Sequence, residues 1–164
     1  MTTAQGRQTS EDAVTRVHYY RNVCGIPCGP HGDSDRITLH IRDIGALSMP
    51  ASLGERTHDR MLLAGVSGPI FSHDIDRWTF LTGPHQLGGE MTLVARLNAL
   101  NVQIVPIGAE VLLPSPADEV SRRRRWIAKP RDMFRPSIGT VLNALGHVTG
   151  ARPVWFATEV ASNV

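Results

Sequence analysis

Short apolar runs outnumber the stretches able to form a crossover helix, and that ratio constrains this chain more than any other feature. ITLHI (37–41), GALSM (45–49), two runs within GPIFSHDIDRWTFLTGP (68–84), VQIVPIG (102–108), AEVLLP (109–114) and RRWIAK (124–129) all have the length of strands. A parallel pair needs a connection of about a dozen residues or more, usually a helix, whereas an antiparallel pair needs only a turn. The order therefore predicts an α+β fold: mainly antiparallel sheet, about four helices on one face, with two small subdomains as an alternative arrangement.

Periodicity places the pieces. Ile37, Leu39 and Ile41 alternate with Thr38 and His40, as a half-buried strand requires. GALSM follows so closely that the two runs are expected to form a hairpin, as are the runs flanking the turn at Asp74 to Arg77 and the pair flanking Gly108. A first helix is expected from Ser10, with Glu11 and Asp12 in its first turn and Ala13, Val14, Val17 and Tyr20 as its apolar stripe. ASLGERTHDRMLLAG (51–65) predicts a second, with a Ser52–Glu55 capping box and a closing Gly65. Met91, Val94, Leu97 and Leu100 mark a third, and SIGTVLNALGHVTG (137–150) a last one capped by Ser137 and closed by Gly150.

A chain of 164 residues, 41% hydrophobic and 20% charged, is long enough to bury one core and too short for two comfortable domains. The expected division is a flexible arm at 1–9, one α+β domain at 10–150, and a tail or edge strand at 151–164. No apolar run approaches the length of a membrane span, and MTTAQGRQTSEDAV lacks the basic-then-apolar layout of a signal peptide, so a cytosolic protein with no membrane partner is expected. Two cysteines are too few for a disulfide framework. A net charge of +2 creates no global field, so any surface for a polyanion must be local.

One segment is locally basic. Arg122, Arg123, Arg124, Arg125, Lys129, Arg131 and Arg135 put seven positive groups in fourteen residues around Trp126 and Phe134, where phosphate contacts and base stacking could combine. On a strand only about half of the arginine run can face one side, and Asp118, Glu119 and Asp132 lie near enough in sequence to neutralise part of it. A nucleic-acid interface (DNA or RNA), a solvated and partly ion-paired rim, and a protein-binding surface are the three readings. Trp126 is expected to anchor the strand in the core, on the same face as Ala128 and opposite Arg125, Ile127 and Lys129. Beyond the last helix, Val154, Trp155 and Phe156 form an apolar cluster that would either cover a sheet edge or serve a protein partner or homodimer.

Catalytic patterns are sparse. Cys24, Cys28 and His31, with Asp33 or His18, have the spacing of a small zinc site but lack a second ligand pair at a distance; Cys24 is read as a small apolar residue closing the first helix. Asp74 and Asp76 beside His73 form a local Asp-x-Asp, in a gap between strands where Asp is favoured for turn chemistry. No Gly-x-Ser-x-Gly elbow, His-Glu-x-x-His helix or phosphate-binding Gly-Lys loop is present. The expectation is no metal, no cofactor and no catalytic residue.

AEVLLPSPADEVSRRRRWIAKP (109–130) is similar to the strand, Pro-Pro-Ser turn and Trp-bearing strand of the primase-polymerase domain of bifunctional DNA primase/polymerase proteins, in the archaeo-eukaryotic primase superfamily. The resemblance runs over roughly residues 44 to 147 and is to the degenerate actinobacterial form; MPASLGER, WTFLTGP and LPSPADE also resemble segments of short actinobacterial proteins. It implies two-metal nucleotidyl transfer, with an Asp-x-Asp pair, a histidine and a third acid. The positions that match read Leu47, Ser48 and Met49 for the pair, Trp78 for the histidine and Val105 for the third acid. The resemblance therefore implies a primase-like scaffold without its metal site, acting as a nucleic-acid-binding accessory or regulatory protein. A protein-interaction or dimerising module and a small metal-dependent enzyme using Cys24/Cys28/His31 or Asp74/Asp76 are the alternatives.

Overall fold

The computed structural model describes residues 12–74, 76–85 and 91–151. In chain order the elements are α1 (Ala13–Asn22), β1 (Cys28–Pro30), β2 (Ile37–His40), β3 (Gly45–Pro50), α2 (Ala51–Leu63), β4 (Ile70–His73), β5 (Arg77–Thr82), α3 (Met91–Ala99), β6 (Gln103–Ile104), β7 (Glu110–Leu113), α4 (Pro116–Ser121), β8 (Arg124–Ala128) and α5 (Ile138–Thr149). The strands form two antiparallel sheets, β1-β2-β7 and β6-β3-β5-β4-β8, so the class is α+β as the strand count requires. Among the described residues no helix is long and apolar enough to cross a membrane. The tail cluster at residues 154–156 lies outside the described residues.

The larger sheet separates two cores, and the alternation of its strands assigns each side chain to one of them. Leu47, Met49, Ile70 and Phe80 face α2, α3 and α5, joining Met61, Leu93, Leu97, Val141, Leu142 and Leu145. Ala46, Phe71 and Leu81 face the other way, towards α1 and the smaller sheet, with Val17, Tyr20, Ile37, Leu39 and Leu113. β3 is buried on both faces, which is why GALSM shows no polar alternation. Gly54 of α2 lies so close to β5 that a Cβ there would stand 2.9 Å from Trp78 Cβ.

Local signals held where side chains satisfy helix ends. Ser137 accepts from Thr140 N at 3.1 Å and Gly150 closes α5 at φ 72°, as its sequence predicts. α1 starts later than expected: Asp12, placed by the sequence reading in the first turn, is instead the cap, accepting from Thr15 N at 2.8 Å, and the helix buries Ala13, Val17 and Tyr20 but leaves Val14 exposed.

Four expectations are corrected. β2 and β3 do not form a hairpin: β1 and β7 occupy both edges of β2, while β3 pairs with β5 and β6. Likewise β6 and β7 belong to different sheets, separated at Gly108 (φ 88°). α2 has no Ser52 capping box; it starts at Pro50 without a side-chain cap, and Ala51 N–H donates instead to Asp76 O at 2.7 Å. The Pro-Ser-Pro segment, which the resemblance matches to a turn, leads instead into α4, where Ser115 and Asp118 form a reciprocal capping box. The β4–β5 hairpin is as expected, with Asp74 in its turn at φ 51°.

Candidate nucleic-acid interface

Cross-strand register puts Ser48, Thr79, Phe71 and Trp126 in one row on the face of the large sheet that looks towards the small one. Towards Leu81 this face is apolar and covered. In the other direction it presents Arg77, His73 and Arg124, with Gln103 beside Ser48. The result is a cleft of about 400 Å³ with Ser48, Phe71, His73, Arg77, Thr79 and Arg124 on one side and Glu110 to Leu112 of β7 on the other.

The polar groups are held in place. Arg77 Nε donates to Ser48 Oγ at 3.0 Å and its Nη2 to Asn101 O at 3.1 Å. Arg124 Nη1 donates to Asp118 Oδ1 at 3.0 Å, and Asp118, only 4% exposed, is itself fixed by the Ser115 hydroxyl at 2.9 Å. His73 Nε2 and Thr79 Oγ1 share a hydrogen bond of 3.1 Å. Burial is the main reason the His73 pKa falls below its usual 6.5; the positive charges of Arg124 and Arg77 push it down further, against the smaller pull of Asp74. Such an imidazole is neutral at pH 7, and an arriving anion would favour its protonation.

Of the basic residues singled out in the sequence, the fold brings one into the cleft. Arg124 stands opposite His73, whereas Arg125 pairs with Ser72 and turns to the other side of the sheet. Arg122 closes α4 in the left-handed region (φ 56°), and Arg122, Arg123, Arg125, Lys129 and Arg131 are exposed. Arg135 is half-buried and donates to Cys24 O at 2.8 Å and Gly25 O at 3.1 Å, so it clamps the turn after α1. Trp126 points inward: its Nε1 donates to Tyr20 Oη at 2.8 Å and its ring meets Tyr20 and Phe71 edge-on. Ala128 does not share its face. The register slips between Ile70 and Phe71, and both Ile127 and Ala128 pack on the helix side.

The other candidates are dispersed. Cys24 and Cys28 are buried with free thiols; burial raises both pKa values, that of Cys28 to about 11. His31 lies instead 3.7 Å from Glu110, which also approaches His40 at 3.6 Å. Asp74 and Asp76 are exposed at the hairpin turn, and Asp74 N–H donates to Arg123 O. Among the described residues no group of three or more His, Cys, Asp or Glu is placed to hold a metal. The cleft itself does not fit a divalent pair: Ser48 faces it with the Arg77 guanidinium bonded to its hydroxyl, while Leu47 and Met49 face the helices. Magnesium requires oxygen ligands, and two fixed cations would repel it.

Arg77, Thr79, Gln103 and Glu110 escaped the sequence reading, which named His73 only beside Asp74 and Asp76 and Ser48 only at the position of the family's acid pair. Their signal was parity: His73, Arg77 and Thr79 occupy positions of one face across the β4–β5 hairpin, but which parity is open depends on the cover, which a single sequence does not display. Comparison with models of known families, with curated proteins and with solved structures found no match.

Proposed function

We propose that the chain is a non-catalytic nucleic-acid-binding protein of the cytosol, with a primase-polymerase-like scaffold, in which the inter-sheet cleft receives a backbone phosphate. The observation that carries this reading is the pairing of Arg77 and Arg124, each fixed by a neighbouring acceptor, beside a half-buried neutral histidine and two hydroxyl groups. Preorganised guanidinium groups recognise phosphate oxygens by charge-assisted hydrogen bonds without a further ordering cost. Arg122 and Arg123, exposed on the segment leading into β8, extend the positive surface from the cleft towards solvent. The four-arginine run thus divides: one residue for a defined contact, two for long-range attraction, and one on the far side of the sheet.

The test is titration of labelled single- and double-stranded DNA and RNA at two salt concentrations. Affinity should fall steeply with salt and tolerate sequence changes, as counterion release requires. Arg77→Gln should weaken binding about tenfold at low salt and flatten the salt dependence by about one unit. Template-dependent nucleotide incorporation should be absent. Failure of every probe to bind the folded protein at low salt overturns the reading.

A further inference from the structure

A second surface lies at the opposite end of β8. There the loop that follows the strand is pinned at three points: Pro130 O accepts from Tyr19 Oη at 3.3 Å, Arg135 donates to the carbonyls of Cys24 and Gly25, and Pro136 O accepts from Gly83 N at 2.9 Å. Pro136 also packs so closely on Gly68 that a Cβ there would collide with Pro136 Cδ. Between these fixed points Lys129, Arg131 and Phe134 remain exposed, Phe134 by 56%, and Phe134 N–H donates to Asp132 Oδ1 at 2.8 Å. Loop 67–69 forms the facing wall of a groove of about 280 Å³, floored by Ala128 and bordered by Lys129, Arg131 and Phe134.

We infer that this groove is a stacking subsite for an unpaired nucleobase, with Phe134 as the platform and Lys129 and Arg131 receiving the flanking phosphates. The inference rests on the nucleic-acid reading above and adds to it a preference for single strands. An exposed aromatic ring on a loop already immobilised loses little freedom on binding, so stacking energy is retained as affinity. Two cations against the single acid of Asp132, whose Oδ1 is engaged by the Phe134 amide, leave the border complementary to a polyanion. Trp126 cannot serve this role, because its ring is enclosed by Tyr20 and Phe71.

The experiment compares the wild type with Phe134→Ala, Phe134→Tyr, Lys129→Gln and Arg131→Gln on single-stranded oligonucleotides carrying 2-aminopurine and on a duplex of the same sequence, with circular dichroism as the check on folding. Phe134→Ala should weaken single-strand binding by about tenfold or more and abolish the quenching of 2-aminopurine, leaving duplex binding unchanged, while Phe134→Tyr keeps both signals. Each cation variant should reduce the salt slope by about one unit. If Arg77→Gln weakens binding and Phe134→Ala does not, the groove is not a base site and the nucleic-acid reading survives. If no oligonucleotide binds the wild type, both fall; if an acidic peptide competes at the groove and a single strand does not, the occupant is wrong.

Discussion

The two faces of the large sheet are made by the same strands, yet they serve different ends. On the helix face, Leu47, Met49, Ile70 and Phe80 are sealed by three helices. On the cleft face, residues one position away along the same strands are apolar beneath α1 and the small sheet, and around the cleft they become the buried Ser48 and Thr79 and the more accessible His73, Arg77 and Arg124. Both faces carry a core, but only one of them also carries side chains that can meet a ligand, at its cleft end. Substitutions should therefore separate into those that unfold the protein and those that change only binding.

The largest effect is expected on the sealed face. Phe80 is 1% exposed at the centre of the helix-side core, so Phe80→Ala should destabilise the protein by about 3–5 kcal/mol in chemical denaturation. Ser48→Ala, from the adjacent row, should shift the midpoint far less. Equal losses at the two positions would break the distinction between faces.

A smaller effect marks the boundary where the cleft face becomes covered. Tyr20 Oη donates to Pro114 O at 2.7 Å and accepts from Trp126 Nε1, inside the core, and burial raises its pKa to about 12. Tyr20→Phe leaves both partners unsatisfied and should cost about 1–3 kcal/mol. Oligonucleotide affinity per folded molecule should not change, since neither ring lines the uncovered half; a loss of affinity would mean that the boundary is part of the site.

Much of this division was legible in the sequence, and the remainder has identifiable causes. The ends of α5, the β4–β5 turn and the class of the fold follow from caps, turn residues and alternation, all local signals. Pairing partners did not follow, because β2 and β3 are neighbours in sequence while the partners of each come from distant segments: β7 joins β2 across some seventy residues. The capping box of α4 was present as Ser115-x-x-Asp118, but two prolines made a turn the more apparent reading. The cleft was hidden for another reason. Its residues are dispersed over β3, β4, β5, β6, β7 and β8, and only the cross-strand register and the facing of the two sheets bring them together.

The smallest effect is the most discriminating, because a histidine with a lowered pKa sits on each face. His58 of α2 packs against Trp78 on the helix side, and His73 lies in the cleft; burial lowers both pKa values below 6.5. A histidine whose folded pKa is depressed binds fewer protons when folded, so its contribution to stability is complete above about pH 6.5 and is lost as pH falls towards the folded pKa. Denaturation midpoints should accordingly decline on acidification below that pH, and both His58→Gln and His73→Gln should reduce the decline. A bound oligonucleotide should then distinguish them. A phosphate beside His73 offsets the positive charges of Arg124 and Arg77 and raises that pKa, so binding takes up a proton and strengthens as pH falls from 7 towards 6. His58, lowered mainly by burial and separated from the cleft by the sheet, should not respond. Titrating the two imidazoles by NMR with and without a single-stranded oligonucleotide checks this: movement of His73 alone places the anion in the cleft, whereas movement of both, or of neither, removes the cleft from the binding surface and leaves the groove at Phe134 to account for any affinity.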